Sequence, residues 1–348
     1  MTWSALVTGG SWLTIISGAS GTNSGTINCS YPANTTTAPR TGTIRVTATG
    51  ATGSPVDLTV TQAGTGSLAA SFVGSGLCIY NSGAATWSQV SSTNPENMIY
   101  SGSTLYADFV ASGLYKWDGA AWTQLTSAKP ENMVATGSSL YADFGTSGLY
   151  KWDGAAWTQL TSTNPENMVT AGSLLYADFG ALGLYKWDGT AWTQLTSTNP
   201  ENMVTDGSLL YADFGVLGLY KWDGTAWTQL TSTDPENMVT SSATLYVNFG
   251  APYGLYKWDG AAWTQLTTAN PENMVTSGST LYVDFGALGL YKWDGAAWAQ
   301  LTSVNRENMV ASDSVLYVDF GALGLYKWES SSWSQLTGSS PVIMAVSN

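Results

Sequence analysis

The side chains in this sequence that could do chemistry recur as a set. Tryptophan stands at Trp117, Trp152, Trp187, Trp222, Trp258, Trp293 and Trp328, 35 residues apart with one step of 36. A second tryptophan follows each, as Trp192 follows Trp187, and tyrosines such as Tyr176 and Tyr185 precede it. Aromatic faces beside amide side chains suit the stacking and hydrogen bonding of sugars. These seven tryptophans, with Asn132, Asn167 and Asn202, are therefore the candidate ligand contacts. The competing reading for each ring is packing against the next repeat, and it applies to most of them.

Charged residues repeat with the same period. Glu96, Glu131, Glu166, Glu201, Glu236, Glu272 and Glu307 accompany Lys116, Lys151, Lys186, Lys221, Lys257, Lys292 and Lys327. Asp108, Asp143, Asp178, Asp213, Asp284 and Asp319 occupy a third position, where Asn248 is the exception. Two carboxylates could serve acid–base chemistry, and a ring of them could hold calcium. Neither reading singles out a residue, because near-identical repeats give near-identical surroundings and catalysis needs pKa values pushed apart. The sequence has no histidine, the usual general base. No catalytic centre, cofactor or metal is expected. Ion pairing within each repeat, Glu166 or Asp178 with Lys186, is expected instead. Its motive is that Val342, Ser71 and Ile79 replace all three charges together where the two ends of the repeat array would share one unit. An unpaired, partly buried charge is costly.

These side chains must be positioned by short strands. One unit reads Pro165-Glu166-Asn167-Met168-Val169, Leu175-Tyr176-Ala177-Asp178-Phe179, Gly183-Leu184-Tyr185-Lys186-Trp187 and Ala191-Trp192-Thr193-Gln194-Leu195. Asp188-Gly189 is a tight hairpin signal between the last two. Four antiparallel strands repeated radially make a propeller blade. The last unit, Pro341 to Ser347, supplies one strand only. The first, Leu68 to Val90, supplies three and lacks the leading one. Pairing of 342–347 with 68–90 would complete an eighth four-stranded blade and leave no open edge. The expected fold is all-β: an immunoglobulin-like sandwich over 1–64, a linker at 65–67, and a closed eight-bladed propeller of 35-residue blades over 68–348.

The repeat resembles the tectonin-type propeller unit in its Leu-Tyr, Leu-Tyr-Lys-Trp and Trp-x-Gln-Leu strands. Many tectonin-like propellers are lectins, so the resemblance implies glycan binding. Residues 1–64 carry Trp12-Leu13-Thr14-Ile15, then Asn34 through Arg40-Thr41-Gly42-Thr43-Ile44, then Val60-Thr61-Gln62. This segment resembles the BACON family, which implies an immunoglobulin-like extracellular module with a proposed role in carbohydrate binding. Family members carry two further strands before the position of Thr2-Trp3. Either this sequence is a fragment of a longer one, or a second copy supplies the strands by β-strand addition.

Composition narrows the partners. The net charge is −13 over 348 residues, which disfavours nucleic acid and anionic membrane surfaces. No apolar run approaches the about 20 residues of a membrane helix. The start of the chain has no signal peptide pattern. Few lysines, many Ser and Thr, and the sequons at Asn28 and Asn34 nevertheless suit an extracellular or cell-surface location. Cys29 and Cys78 read as two buried free thiols, with an interdomain disulfide as the alternative. The expected function is non-enzymatic, multivalent glycan binding. The alternative is a structural subunit of an extracellular filament, assembled with other copies of itself through the N-terminal domain.

Overall fold

The computed structural model describes residues 1–32, 40–62, 67–82, 85–241, 243–312 and 315–347. Residues 65–66 of the linker expected at 65–67, and the sequon at Asn34, lie outside them. The chain divides into two compact units, Met1–Ser67 with Asn81–Thr86, and Leu68–Tyr80 with Trp87–Asn348.

Among the described residues the N-terminal unit holds six strands: β1 (Thr2–Gly9), β2 (Thr14–Ser17), β3 (Ser20–Thr22), β4 (Asn28–Ser30), β5 (Arg40–Ala48) and β6 (Val56–Gln62). One sheet has the order β3-β1-β5-β6 and a two-stranded sheet pairs β2 with β4. Alternation along the strands sends Ala5 of β1 and Ile44 of β5 to one face, where they are buried with Leu13. Val56 and Leu58 of β6 stand in register with Val46 and Ile44. They belong to the same face, yet they are 51% and 47% exposed. Cys29 is half-buried and Cys78 buried, and both are free thiols.

The second unit consists of eight four-stranded antiparallel sheets. Seven are continuous in sequence, starting at Asn97, Asn132, Asn167, Asn202, Asn237, Asn273 and Asn308, and are called units one to seven. In unit three the strands are Asn167–Ala171, Leu174–Asp178, Leu184–Trp187 and Trp192–Thr196. The second strand is the most buried in each unit, because its two faces pack against two neighbouring sheets. Leu175, Tyr176 and Ala177 of unit three are all at most 1% exposed. That double burial explains why Leu-Tyr-Ala-Asp reads as a continuous apolar run and not as an alternating one. The hairpin into the fourth strand is an Asx turn. Asp188 Oδ1 accepts hydrogen bonds from the backbone of Thr190 and Ala191 at 2.8 and 2.9 Å, and Gly189 takes φ +101°. Bonds from Ala191 first, then Thr190, hold the Asp188 carboxyl down at about 2.

The eighth sheet joins the two ends of the array. Strands β7 (Leu68–Phe72), β8 (Gly76–Asn81) and β9 (Thr86–Ser91) are preceded in the sheet by the last strand of the chain, Ile343–Val346. Met344 lies opposite Ala70, and Val346 opposite Leu68. The expected pairing of tail and head is therefore present. Neighbouring sheets are tied by one repeated bond: the indole Nε1 of the fourth strand donates to a carbonyl of the preceding sheet. Trp192 reaches Leu160 O at 3.1 Å, and Trp157 reaches Leu125 O at 3.0 Å. The same bond runs from Trp122 of unit one to Val90 of the eighth sheet at 2.8 Å, and from Trp87 of the eighth sheet to Leu336 of unit seven at 3.2 Å. These bonds link the eighth sheet to units one and seven.

Candidate functional site

A cleft of one design recurs between consecutive sheets. In unit three it is lined by Thr161 and Thr163 from the end of unit two, and by Phe179, Leu182, Tyr185 and Trp192, and it has a volume of about 210 Å³. Equivalent clefts hold Phe144, Tyr150 and Trp157 (about 280 Å³), Phe214, Tyr220 and Trp227 (about 210 Å³), and Phe320, Tyr326 and Trp333 (about 240 Å³).

The sequence builds this cleft from a turn and two strands. Phe179 closes the second strand, and Gly180 turns the chain at φ +60° into a single helical turn, Gly180–Leu182. Gly183 follows at φ +88°, where a Cβ would collide with the backbone of Thr196 and Ser197. Gln194 Nε2 donates to Leu182 O at 2.9 Å and clamps the turn onto the fourth strand. Thr196 Oγ1 accepts from Thr198 N at 3.0 Å and shapes the lip of the following cleft. Phe179 meets Tyr185 and Trp192 edge to face, with ring centroids 5.6 and 5.3 Å apart. Such pairs are favoured by the ring quadrupoles and hold the three rings in fixed orientation. The lip is apolar and open to solvent: Leu182, Leu217 and Leu323 are each at least half exposed. The cleft thus offers fixed aromatic surface with hydroxyls on its rim, a combination fit for an amphipathic ligand such as a sugar.

The tryptophans expected to contact ligand lie elsewhere. Trp187 stands directly opposite Trp192 in the hairpin, but it is Trp192 that lines the cleft. Trp117, Trp152, Trp187, Trp222, Trp258, Trp293 and Trp328 are half-buried against the core shared with the preceding sheet. The Nε1 atoms of five of them, Trp152, Trp187, Trp222, Trp258 and Trp293, are buried with no hydrogen-bond partner. This set packs between sheets, and none of its members lines the four clefts. Asn132, Asn167 and Asn202 open the leading strands, where each Oδ1 accepts from the next backbone amide at 2.7 to 2.8 Å. None of them lines the four clefts.

The expected ion pair also needs correction. Among the described residues no salt bridge joins Glu166 or Asp178 to Lys186. Lys186 stands opposite Tyr176, two residues along the strand from Asp178, and its charge acts on Asp188 of the hairpin. The equivalent Lys151 lies with its Nζ 5.9 Å from the centre of the Tyr141 ring. Asp178 is 1% exposed, its Oδ1 accepting from Gly180 N at 2.9 Å. Burial, reinforced by the nearby Glu166, pushes its carboxyl up to about 6. Glu166 Oε2 accepts from Asn199 Nδ2 of the next unit at 3.2 Å. The Glu and Asp positions therefore form a junction between consecutive sheets, where the residue before the next proline, or at its place, also enters.

That third residue varies. Lys129 pairs with Glu96, Arg306 pairs with Asp284 at 3.0 Å, and Ser340 Oγ donates to Asp319 Oδ2 at 2.8 Å. Asp234 brings a third carboxylate to Glu201 and Asp213. In the eighth sheet Ser71 and Val342 replace both acids, and Ser71 Oγ and Asn94 Oδ1 are buried without partners. The joint loss of Glu and Asp follows from their proximity to each other and not from a bond to lysine.

Residues 3–63 match the family described as "BACON: Putative binding domain, N-terminal". No curated protein matches the sequence. Among solved structures the chain is similar to the computationally designed Ika8 protein, at 8% identity, over 73% of this chain and 91% of that one, with a TM-score of 0.54. It is also similar to the CRINKLY WD40 ectodomain of the Arabidopsis thaliana receptor kinase ACR4 (8% identity, 66% and 95% covered, TM-score 0.46). A third is PorZ, a surface component of the type-IX secretion system of Porphyromonas gingivalis (15% identity, 88% and 53% covered, TM-score 0.41). At these identities the likeness concerns fold alone. The chain is an all-β protein of the β-propeller kind whose N-terminal segment matches the BACON family.

Proposed function

We propose that this is a non-enzymatic extracellular or cell-surface protein, in which an immunoglobulin-like BACON module precedes a closed eight-bladed, tectonin-like propeller that binds glycans multivalently. The observation that carries the reading is the recurrence of one aromatic cleft between successive sheets. A catalytic site has no reason to be repeated with so little change, whereas weak sites around a ring gain avidity of about 10²–10⁴-fold when several engage together. The eight blades are supported by the eight four-stranded sheets and by the indole bonds that lead from the last back to the first.

Charging the lips tests the sites without touching the strands. A variant carrying Ser147→Asp, Leu182→Asp, Leu217→Asp and Leu323→Asp is expected to lose at least about 100-fold in avidity on a glycan array, with its thermal unfolding unchanged. Equal glycan binding by this variant, or no glycan bound by the parent in an array and in calorimetry, rejects the proposal.

The half-exposed Val56 and Leu58 favour a second reading. They are inner-face residues on β6, the last strand of the order β3-β1-β5-β6. An apolar sheet face beside an unpaired edge invites an added strand, so other copies of the chain would join there into a filament. Electron microscopy of concentrated protein is expected to show end-to-end assemblies that Val56→Lys with Leu58→Lys disperses; monomers at every concentration dismiss the filament.

A further inference from the structure

The junctions between sheets are variants of one site, so each can be used to read the others. In unit five Asn248 takes the place of the aspartate. Its Oδ1 accepts from Gly250 N at 2.9 Å, just as Asp143 and Asp178 Oδ1 accept from Gly145 N and Gly180 N at 2.9 Å. The shared bond fixes the side-chain orientation, so Nδ2 of Asn248 stands where the second oxygen of those aspartates stands. That Nδ2 donates to Glu236 Oε2 at 3.3 Å and to Pro271 O at 3.3 Å. Both partners are acceptors. Units two and three carry the same residues, Glu131 with Pro165 and Glu166 with Pro200, and the shared orientation puts a carboxyl oxygen in place of the amide, with the glutamate near it. Oxygen against two acceptors needs a hydrogen between them.

Other junctions supply that hydrogen or a positive charge from the chain itself, through Lys129, Arg306 or Ser340. In units two and three the residue from the following sheet is Asn164 or Asn199, and its amide bonds the glutamate Oε2 at 3.3 and 3.2 Å. The charged group acting on Asp143 is Glu131, and on Asp178 it is Glu166; no cation acts on either.

We propose that Asp143 with Glu131, and Asp178 with Glu166, each hold one shared proton, and that its release towards neutral pH is a switch on the turn above. The turn is coupled to the pair from both sides. Each aspartate holds its glycine amide, and each glutamate lies so close to that glycine that a Cβ on Gly145 or Gly180 would collide with it. The same turns carry Phe144 and Ser147, and Phe179 and Leu182, which wall two of the clefts. Losing the proton sets two like charges against each other beneath that wall. Burial and the neighbouring glutamate together push Asp143 and Asp178 up to about 6, in keeping with a proton held by the pair as a unit. The consequence for ligand rests on reading the clefts as binding sites; the proton itself does not.

The full chain without any ligand provides the test, so its failure is separable from failure of glycan binding. A carbon-13 carboxyl NMR titration is expected to show Asp143 and Asp178 titrating near pH 6 beside Asp213, and the double variant Asp143→Asn, Asp178→Asn is expected to lose those two signals and keep that of Asp213. The proton is bound more tightly folded than unfolded, so stability is greatest below the unfolded aspartate value and falls as pH rises through the folded one. The melting temperature is expected to fall by about 5 °C between pH 4.5 and pH 7.5, and by clearly less in the double variant. If that variant fails to fold, Glu131→Gln with Glu166→Gln, which supplies the missing donor, is expected to flatten the same slope. Overturning results are Asp143 and Asp178 carboxyls that titrate below pH 5, or a slope that neither pair of substitutions alters.

Discussion

Arg306→Ala is expected to lower the unfolding free energy by about 3–5 kcal/mol, the largest loss for a single side chain away from the strands. Arg306 stands where six of the seven units carry proline. Its guanidinium reaches Asp284 of the preceding sheet at 3.0 Å, with both side chains at most 4% exposed. Burial dominates both partners: it pushes Asp284 up and Arg306 down, against the attraction each exerts on the other. The pair is therefore held at a cost, and removing one member strands the other in a dry place beside Glu272. Asn248 shows how the fold fills this position without charge. Adding Asp284→Asn to Arg306→Ala is expected to recover more than half of the loss. Urea unfolding of the two single variants and the double one gives the coupling directly. A cost for Arg306→Ala below about 1 kcal/mol contradicts the account of a buried, mutually dependent pair.

Removing residues 341–348 is expected to do more damage still. The last strand fills the leading place in the eighth sheet, where Met344 is 8% and Ala345 9% exposed. Met344 packs with Leu68, Tyr80 and Tyr317, and Ala345 with Ala69, Leu77 and Met98. Its loss uncovers apolar surface on both sides and leaves the β7 edge without hydrogen bonds, a template for pairing with other chains. The buried methionine and the lost ladder bonds together are worth on the order of 5 kcal/mol. The truncated chain is expected to melt well below the parent and to aggregate at micromolar concentration. Adding a synthetic peptide of residues 339–348 is expected to restore the melting temperature. A truncated chain that melts like the parent and stays monomeric argues that the ends of the array do not depend on each other.

The four-stranded repeat was legible because its signals are local. Asp-Gly marks the last hairpin of units one to six, glycines mark most of the other turns, and the three strands at the head complement the one strand at the tail. The site was less legible, for two different reasons. Trp187 and Trp192 lie opposite each other, and which indole lines the cleft is decided by the neighbouring sheet, a relation that spacing alone does not encode. The lysine is placed by a different pairing: the register of the second and third strands sets Lys186 opposite Tyr176, and that of the first and second sets Asp178 opposite Asn167, the residue after Glu166. Register alone thus sets the two acids at one end of the blade and the lysine further in. Asn248, Asp234 and Arg306 were visible as departures from the repeat, but their meaning depends on which strand ends meet across a boundary between sheets.

The tryptophan bond between sheets has a direction. Each sheet carries a latch, the indole, and a keeper, the carbonyl of Leu or Val, and the latch always engages the sheet before it. Every module is thus both lock and key for identical neighbours, and nothing in this fastening counts them. Deleting or duplicating a whole 35-residue module in the gene leaves every latch with a keeper, so this fastening does not by itself fix the number of modules. Recombination between its own repeats would thus change the number of sheets, and with it the number of clefts the protein displays.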